Sequence, residues 1–427
     1  MKKLNIAIIG LGNIGSYLFK YLQENKNFLK EKNNCLPVVK YVSARNKKKK
    51  RNIRIKKNQW LKNYLDSTKF KDVDLIIELI GGSEGAAKKL VFNALKNKKH
   101  VVTANKALIA KYGDTLSKIA EKNKVNLEFE ASVCGGVPII RSLKEGLIAN
   151  KISKIYGIFN GTSNYILSSM DKEKKSFDDV LKKAKELGYA ESNPSADLNG
   201  DDVSSKLKIL SSLCFNSFLN NKIYVEGINQ IDKIDIDNAN NLGYKIKLLG
   251  FAERYNNKIY QRVHPTLIKK DSYVASIDGV LNAVIVDGKP VGQSIIQGEG
   301  AGPSATTSAL ISDISSILRG NIKFPFSLSN KERKLLKFEN ISERFFSAYF
   351  RFEVMDRSGV LSNITNVFSK NRVSIKRLIQ NPDKNKKNSS IIIITHSAKD
   401  KNLSKILKEI SKRKYIKRKP KLIRIED

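Results

Sequence analysis

The feature that most constrains this fold is a glycine-rich turn near the N-terminus. Gly10, Gly12 and Gly15 follow the short apolar run of residues 4–9, and a helical pattern continues over residues 16–22. Between a buried strand and a helix, the first glycine permits the tight turn, the second admits a pyrophosphate, and the third allows close helix packing. The helix N-terminus adds a dipole that attracts phosphate. The pattern predicts dinucleotide binding; its alternative is a tight strand-to-helix turn without a ligand.

The end of the second predicted strand, residues 38–43, bears on which dinucleotide binds. NAD sites usually carry an acidic residue there, which binds the ribose hydroxyls. Here Arg45 stands in that place, and a lysine run follows it. Because a guanidinium suits a 2′-phosphate, the sequence predicts NADP in preference to NAD.

Strands and helices alternate through the rest of this first region. We predict a strand over 74–80, a helix over 86–96, a strand before Thr103 and a strand over 125–133. This alternation predicts an α/β fold with a Rossmann-type, doubly wound parallel sheet. Ligands of such sheets bind beyond the carboxyl ends of the strands, where we expect Gly81, Gly82, Thr103 and Lys106 to cluster.

A group of carboxylates surrounds one lysine, although the chain is strongly basic. The formal net charge is +38, yet Glu191, Asp197, Asp201 and Asp202 precede Lys206 within a short stretch. Asp202 and Lys206 are four residues apart, so they share a face of a helix. Carboxylates suit a ligand with an ammonium group, and a lysine among acids is placed for proton transfer. The alternative is an acidic loop whose aspartates stabilise a helix N-terminus.

Composition narrows the class of protein. The 427 residues, 41% of them hydrophobic, predict two or three folded domains, and no apolar stretch is long enough for a bilayer. Cys35, Cys134 and Cys214 lack a paired pattern, which favours a reducing, cytoplasmic location and excludes a cysteine-based zinc site. Positive charge is spread along the chain as lysine among asparagine and isoleucine. We therefore expect neither nucleic acid nor membrane as a partner.

The remaining chain predicts two further regions. Strand-like segments at 152–158, 223–227, 263–268 and 283–286 indicate an α+β substrate-binding and dimerisation domain. A long helix over 305–318 is expected to return to the first domain. After a polar stretch, the order strand–helix–strand–strand–helix–strand predicts a ferredoxin-like domain. The predicted bounds are 1–135 for the first domain (completed by a helix at about 303–320), 136–320 for the second, 321–345 for a linker and 346–427 for the third.

With these motifs in place, the chain resembles homoserine dehydrogenase along nearly its whole length. The matching motifs are GLGNIG (10–15), ELIGG (78–82), TANKALIA (103–110), EASVCGGVPII (130–140), GIFNGTSNYIL (157–167), GYAESNPSADLNGDDVSSKLKIL (188–210) and GEGAGPSAT (298–306). The C-terminal region resembles an ACT domain, an amino-acid-sensing module. The resemblance implies reversible NAD(P)H-dependent reduction of L-aspartate 4-semialdehyde to L-homoserine, on the route to threonine, methionine and isoleucine.

The resemblance also implies roles for individual residues. Lys206 matches the family's catalytic lysine, and Lys106 matches a lysine near nicotinamide and substrate; the division of the proton role between them stays open. Glu191, Asp197 and Asp202 match substrate-binding acids. The implied cofactor-binding positions are Gly10, Gly12, Asn13, Ile14, Gly15, Arg45, Gly81, Thr103, Lys106 and Gly302.

Two further ligands follow from the same resemblance. The EASVCGGVP loop resembles one that binds a monovalent cation, usually sodium, through the carbonyls of Glu130, Val133, Gly135 and Val137. Hard cations prefer oxygen ligands, and small residues let carbonyls converge. Threonine is the expected effector at the DRSGVL turn (356–361); the alternative is a purely structural oligomerisation module. A homodimer or homotetramer is expected.

Two other function classes stay open at this point. A semialdehyde dehydrogenase that forms an acyl phosphate needs a nucleophilic cysteine with a base. Cys134 has no histidine near it in sequence, and its small neighbours favour an inert, packed thiol. A non-enzymatic regulator that binds nucleic acid through its lysines is the third class.

Overall fold

The N-terminal part of the chain forms a parallel sheet flanked by helices. The computed structural model describes residues 2–219, 223–382 and 387–426. The strands are β1 (Lys3–Ile9), β2 (Leu36–Ser43), β3 (Leu75–Glu78), β4 (His100–Thr103) and β5 (Leu127–Glu128). The helices are α1 (Asn13–Glu24), α2 (Lys26–Asn33), α3 (Ala86–Lys96) and α4 (Lys106–Asn123). The strand order is β2-β1-β3-β4-β5, and every neighbouring pair is parallel, which confirms the predicted class. The order reverses between β1 and β3, so a ligand crevice opens beyond these strands.

Two strand predictions in this domain were too long. The predicted strand over 125–133 is wrong beyond residue 128, because β5 is followed by a 3₁₀ turn over Glu130–Ser132. The Glu130 N–H donates to the Asp313 carboxylate (2.9 Å), which draws the backbone out of the sheet. Likewise, the predicted strand over 74–80 ends at Glu78. The Glu78 carboxylate accepts the N–H of Ile80 (2.7 Å) and so folds the chain into a turn.

The middle of the chain supplies a second, mixed sheet and the helices that cover it. Its strands are β6 (Lys151–Ile158), β7 (Tyr224–Val225), β8 (Tyr244–Tyr255), β9 (Lys258–Lys269), β10 (Leu281–Lys289) and β11 (Gly292–Glu299). The helices in this part of the chain are α5 (Ile139–Arg141), α6 (Gly161–Glu173), α7 (Phe177–Glu186), α8 (Ser195–Asn199), α9 (Asp201–Phe215), α10 (Lys233–Asn241) and α11 (Pro303–Leu318). The predicted strands at 152–158, 263–268 and 283–286 lie within β6, β9 and β10.

Helix α11 packs on the first sheet rather than on the second. Leu310 and Ile314 lie fully or almost fully buried in one apolar cluster with Ile6 and Ile8 of β1. The chain therefore leaves the first domain after β5 and returns to it through α11.

The C-terminal region has the predicted ferredoxin-like order. The strands are β12 (Lys337–Phe338), β13 (Phe345–Met355), β14 (Ile375–Pro382), β15 (Asn388–Thr395), β16 (Ala398–Lys399) and β17 (Lys421–Glu426), and the helices are α12 (Val360–Lys370) and α13 (Asp400–Ile410). Strand β17 pairs in parallel with β9 of the middle region. The described strands of both regions thus form one continuous sheet, in the order β11-β10-β6-β8-β9-β17-β13-β15-β14.

The segment of 321–345, expected as a linker, is anchored to both preceding domains. The side chain of Arg333 is buried, and its Nη2 donates to Asp114 Oδ1 of α4 (2.7 Å) and to Ser212 Oγ of α9 (2.9 Å). This anchor and the β9–β17 pair hold the C-terminal region in a fixed place against the rest of the chain. Among the described residues, no helix is long and apolar enough to cross a bilayer.

Candidate active site

The glycine-rich turn leaves room for a phosphate group. A Cβ on Gly10 would lie 2.4 Å from the Leu79 carbonyl oxygen, and one on Gly15 would lie 2.1 Å from the Gly10 carbonyl oxygen. Gly12, by contrast, has no atom within 4 Å of its Cβ direction, so it faces open space. Helix α1 begins at Asn13 with its first N–H groups toward that space. The residues present therefore fit a dinucleotide pyrophosphate.

A basic loop borders the adjacent cavity of about 890 Å³, beyond the ends of β1 and β2. Arg45 lies exposed on this loop and lines the cavity. Arg51 holds the loop in place, since its Nε donates to the Leu11 carbonyl (2.9 Å) and its Nη2 to the Asn46 carbonyl (2.8 Å). Sequence reasoning missed Arg51, because a single arginine in a lysine run carries no signal of its backbone partners.

One expected cofactor position, Thr103, lies beneath the cleft, whereas Gly81 is exposed on the turn after β3. The Thr103 side chain is fully buried, and its hydroxyl donates to the Glu78 carboxylate at 2.6 Å. Gly81 donates its N–H to the same carboxylate at 3.0 Å. Glu78 therefore fixes the turn after β3, and the Thr103 side chain supports that turn from below.

A second cavity, of about 640 Å³, lies between the two domains and is lined by all the predicted catalytic and substrate-binding residues. From the first domain it is lined by Ile14 of the glycine-rich turn and by Lys106 at the start of α4. From the second domain it is lined by Glu191, Asp197, Asp202 and Lys206, and Gly302 completes the wall before α11. One residue of the glycine-rich turn, Ile14, and the acidic cluster thus line the same space, whereas Gly10 and Gly12 line the adjacent cavity.

One aspartate bridges the two lysines of this cleft. Asp202 lies in the first turn of α9, and its Oδ2 is 2.8 Å from Lys206 Nζ, which confirms that the two residues share a helix face. Its Oδ1 is 2.8 Å from Lys106 Nζ. Burial alone would raise the pKa of Asp202, but the two ammonium groups hold it far below its usual value. Burial opposes charging of Lys206, yet the Asp202 carboxylate keeps the pKa of this lysine above its ordinary range. Lys206 is therefore positively charged at neutral pH.

Asn160 organises the carboxylates of the cleft. Its Nδ2 donates to Asp197 Oδ1 (2.7 Å) and to Asp202 Oδ2 (2.8 Å). Its Oδ1 caps helix α6 by accepting the N–H of Ser163 at 2.8 Å. Burial, followed by the charge of Asp202, raises the pKa of Asp197. Sequence reasoning did not assign Asn160, although an asparagine that follows a buried strand and opens a helix is the pattern that could have identified it.

Lys206 is also tied to the second sheet. Its Nζ donates to the carbonyl of Phe159 at 2.6 Å, just after the end of β6. Glu191 stands at the opposite rim, where its exposed carboxylate makes no hydrogen bond or ion pair within the described ranges. The cleft thus holds two ammonium groups paired with Asp202, the positioned carboxylates of Asp197 and Asp202, and two exposed carboxylates without a described partner, Glu191 and Glu299. Such a set suits a small zwitterion with a reacting oxygen.

Comparison with known proteins gives matches along the whole chain. Residues 138–315 match the family model described as homoserine dehydrogenase, residues 10–130 match the homoserine dehydrogenase NAD-binding domain, and residues 348–414 match the ACT domain. A homoserine dehydrogenase of Neisseria gonorrhoeae is 37% identical over 437 residues, covering 100% of this chain and 99% of that one. The chain belongs to the homoserine dehydrogenase family. It is therefore an NAD(P)-dependent oxidoreductase with a C-terminal ACT domain.

Solved homoserine dehydrogenases share this architecture. The crystal structure of the enzyme from Thiobacillus denitrificans is 36% identical and superposes with a TM-score of 0.92, covering 100% of this chain and 99% of that one. The homoserine dehydrogenase of Helicobacter pylori is 38% identical over 428 residues, covering 100% of each chain. A hyperthermophilic archaeal homoserine dehydrogenase in complex with NADPH is 24% identical with a TM-score of 0.62, covering 74% of this chain and 97% of that one, which shows a shared fold.

Within this homoserine dehydrogenase, Cys134 lies in the cleft wall as an inert thiol. It is almost fully buried, and burial raises its pKa to about 11. A thiol of this kind is protonated at neutral pH and is a poor nucleophile. The geometry therefore disfavours an acyl-enzyme reaction at Cys134.

The loop expected to bind a cation is buried and tightly folded. A Cβ on Gly135 would lie 2.7 Å from the Gly300 carbonyl, so two backbone segments meet here. Asn282 lies beside the Cys134 thiol and Gly300, and neither atom of its buried amide makes a well-formed hydrogen bond to a described residue. The Asn282 Oδ1 is an oxygen of the kind that hard cations prefer. Of the four expected carbonyl ligands, those of Glu130 and Val137 accept the N–H groups of Val133 (3.3 Å) and Ile139 (2.7 Å), and each keeps a second lone pair for such a cation. Side-chain clusters of three or more His, Cys, Asp or Glu suited to a metal do not occur in the described ranges.

Proposed function

We propose that this protein catalyses the reversible reduction of L-aspartate 4-semialdehyde to L-homoserine with a nicotinamide dinucleotide. The observation that carries the proposal is the cavity that Ile14 of the glycine-rich turn, Lys106, Lys206 and the carboxylates line together, beside the cavity that Gly10 and Gly12 line. A bound nicotinamide would supply the hydride. The chain's own residues bind the amino-acid end, hold the reacting oxygen and move its proton.

Lys206 is the proton donor in the reduction. Its ammonium is buried, paired with Asp202 and fixed by the Phe159 carbonyl, so its side chain is held in one orientation. As the aldehyde becomes an alkoxide, a proton from Nζ neutralises the oxygen; in the reverse direction, the neutral amine takes that proton from the homoserine hydroxyl. Lys106 shares the Asp202 carboxylate and adds positive charge at the same oxygen.

The carboxylates bind the amino-acid end of the substrate. Glu191 has a free carboxylate at the rim and is the group that binds the substrate ammonium. Asp197 and Asp202 are held apart by the Asn160 amide, and they order the reacting hydroxyl and its water. Preorganised groups of this kind place the substrate without moving during the reaction.

NADP is the preferred cofactor in this proposal. Arg45 lines the adenosine end of the cleft without a described ion-pair partner, so its charge is available to a 2′-phosphate. Gly10, Gly12, Asn13 and Gly15 hold the pyrophosphate through the backbone. A sodium ion at the carbonyls of Glu130, Val133, Gly135 and Val137 would stiffen the loop behind Cys134.

The ACT domain is proposed to bind threonine at the turn of residues 356–361, where Gly359 adopts a left-handed conformation and α12 begins. Because effectors of ACT domains commonly bind between two paired domains, a homodimer or homotetramer is proposed. The chain is proposed to work in the cytoplasm on small-molecule substrates.

The test of the proposed reaction is absorbance at 340 nm with purified protein, L-homoserine and either NADP or NAD at mildly alkaline pH. We expect homoserine-dependent formation of reduced cofactor, with a lower Michaelis constant for NADP. Arg45→Ala should raise that constant for NADP about tenfold or more, because a hydrogen bond to a charged group is lost, and should leave the constant for NAD unchanged. Absence of any homoserine-dependent signal would refute the reaction, and a clear NAD preference would refute the role of Arg45.

A further inference from the structure

A separate cavity of about 240 Å³ lies where the ACT domain meets the catalytic sheet. We call it the junction cavity; its charged lining residues are Lys154, Glu253, Arg262, Arg344 and Glu426. Lys154, Glu253 and Arg262 come from β6, β8 and β9 of the catalytic sheet, whereas Glu426 ends β17 of the ACT region. None of these residues lines the catalytic cleft.

The charges of the junction cavity do not balance. Arg262 pairs with Glu426, and Arg344 pairs with Glu253 and, outside the lining, with Glu339 (3.6 Å), so these carboxylates are already engaged. Lys154 has no ion-pair partner among the residues that the structure describes. Its Nζ stands 4.5 Å from the ring centre of Tyr156 and 5.4 Å from that of Phe251. The positive charge of Lys154 is therefore unpaired, and its ammonium group lies near two aromatic rings.

Buried polar atoms in the wall also lack partners. Tyr260 and Arg262 are both 4% exposed and both line the cavity. The Tyr260 hydroxyl and the Arg262 Nε make no hydrogen bond within the described part of the chain. Such groups usually have partners. Both atoms are covered by protein, so the wall carries two unsatisfied donors just behind the surface of the cavity. The other guanidinium nitrogens of Arg262 are occupied by His264 and Glu426.

An apolar surface completes the cavity. The Phe345 side chain lines the opening and is 61% exposed, and the Phe251 ring lies under the Arg262 guanidinium at 3.9 Å. A ligand bound here would cover the exposed ring while its charged end meets Lys154. Apolar walls with a few convergent polar groups are the usual form of a small-ligand site.

We propose that the junction cavity is a binding site for a small organic monocarboxylate with an apolar body, separate from the active site. The unpaired Lys154 ammonium calls for one negative charge, and the exposed Phe345 ring calls for an apolar group. The two glutamates are engaged, so an α-ammonium group is not needed for binding. An amino acid and a deaminated acid share this chemistry, and a bound ligand touches the catalytic sheet and the ACT domain at once.

Titration calorimetry on the full-length protein tests this site with three probes of one shape: 3-methylbutanoate, L-valine and L-valinamide. We expect a saturable signal with at least one of the two carboxylates and none with the amide. Binding of both probes or of 3-methylbutanoate alone identifies a plain carboxylate site, and binding of L-valine alone identifies an amino-acid site. Absence of binding by either carboxylate to folded protein would overturn the proposal, as would equal binding of L-valinamide.

Substitutions of single residues test whether the carboxylate binds in the junction cavity. Lys154→Gln should weaken it at least tenfold, Lys154→Arg should restore it to within about threefold, and Lys151→Gln, on the exposed start of the same strand, should not change it. Unchanged binding in Lys154→Gln would overturn the assignment. So would loss of binding in Asp202→Asn, since that would place the ligand in the catalytic cleft. Homoserine oxidation is measured in parallel, so failure of the proposed reaction is distinguishable from failure of this site.

Discussion

Lys206 carries a charge at a position that is 8% exposed, and its neighbours explain how the fold tolerates it. A buried ammonium is costly unless it is paired and hydrogen-bonded. Asp202 supplies the opposite charge, and the Phe159 carbonyl accepts a hydrogen bond from Lys206. Asn160 in turn donates a hydrogen bond to the Asp202 carboxylate. The catalytic group is thus stabilised by residues from two elements, α9 and the end of β6.

Substitution of the two substrate-side acids should separate turnover from binding. Asp202→Asn removes the counter-charge of Lys206, so kcat should fall by about 10²-fold, within the range of general acid–base effects. Glu191→Gln removes a charged partner of the substrate ammonium, so KM for homoserine should rise about tenfold with kcat little changed. Asp201→Asn is the matched control, because Asp201 is exposed beside Asp202. Steady-state kinetics of the three variants measures this, and unchanged constants in the first two would contradict the carboxylate roles.

At the scale of elements, the spacing of apolar and charged residues predicted the strands and the helix face that depend on local sequence. The apolar runs before Gly10 and Gly81 predicted β1 and β3, and the spacing of Asp202 and Lys206 predicted a shared helix face. The strand over 125–133 was wrong, because its apolar pattern continues through a segment whose backbone bonds to the distant Asp313. The bonds of Asn160 to Asp197 and Asp202, 37 and 42 residues away, likewise leave no local pattern; only its place at the start of α6 could have identified it.

Strand β9 contains a buried histidine that should make the protein sensitive to acid. His264 is fully buried; its Nε2 accepts from Arg262 (2.7 Å), and its Nδ1 therefore carries the proton and donates to the Pro265 carbonyl (2.9 Å). Burial, with the charges of Arg262 and Arg424, holds the pKa of His264 well below its ordinary value. As pH falls below about 6.5, the unfolded chain binds this proton and the folded chain does not. The free energy of unfolding should therefore decrease by up to about 1.4 kcal/mol per pH unit.

Urea unfolding between pH 5 and pH 7.5 measures this effect. His264→Gln should remove this part of the pH dependence. The contribution of His100, whose pKa is lowered by burial, and the opposite contribution of Glu130, whose pKa burial raises to about 7, remain in both proteins. His396→Gln, at an exposed position, is the control and should keep the full slope. An unchanged slope in His264→Gln would contradict the account of the β9–β17 junction.

At the scale of the whole molecule, the catalytic and ACT regions share one sheet. Thr266 to Ile268 of β9 pair with Arg424 to Glu426 of β17, and Arg424 is buried in an ion pair with Asp400 (2.7 Å). The order of strands predicted a ferredoxin-like domain, but it could not predict this junction. Pairing between edges that are more than 150 residues apart depends on tertiary geometry and not on local pattern.

The shared sheet gives an expectation for regulation. Threonine bound at the turn of residues 356–361 should raise the thermal unfolding midpoint of the whole protein, because a ligand of the folded state stabilises it by mass action. It should also lower the rate of homoserine oxidation, with serine as a control ligand of similar charge. A threonine titration that changes neither quantity would favour a structural role for the ACT domain.

In the proposed reaction, the first domain supplies the glycine-rich turn for the dinucleotide, and the second domain supplies Lys206 as the proton donor. One variant separates these roles. In Lys206→Ala, NADPH binding measured by fluorescence should match the wild type, whereas homoserine-dependent absorbance at 340 nm should fall about 10²- to 10⁴-fold. Lys208→Ala, two residues along α9 and outside the cleft lining, should keep wild-type turnover. Retained turnover in Lys206→Ala, or loss of NADPH binding, would contradict the placement of this lysine at the reacting oxygen.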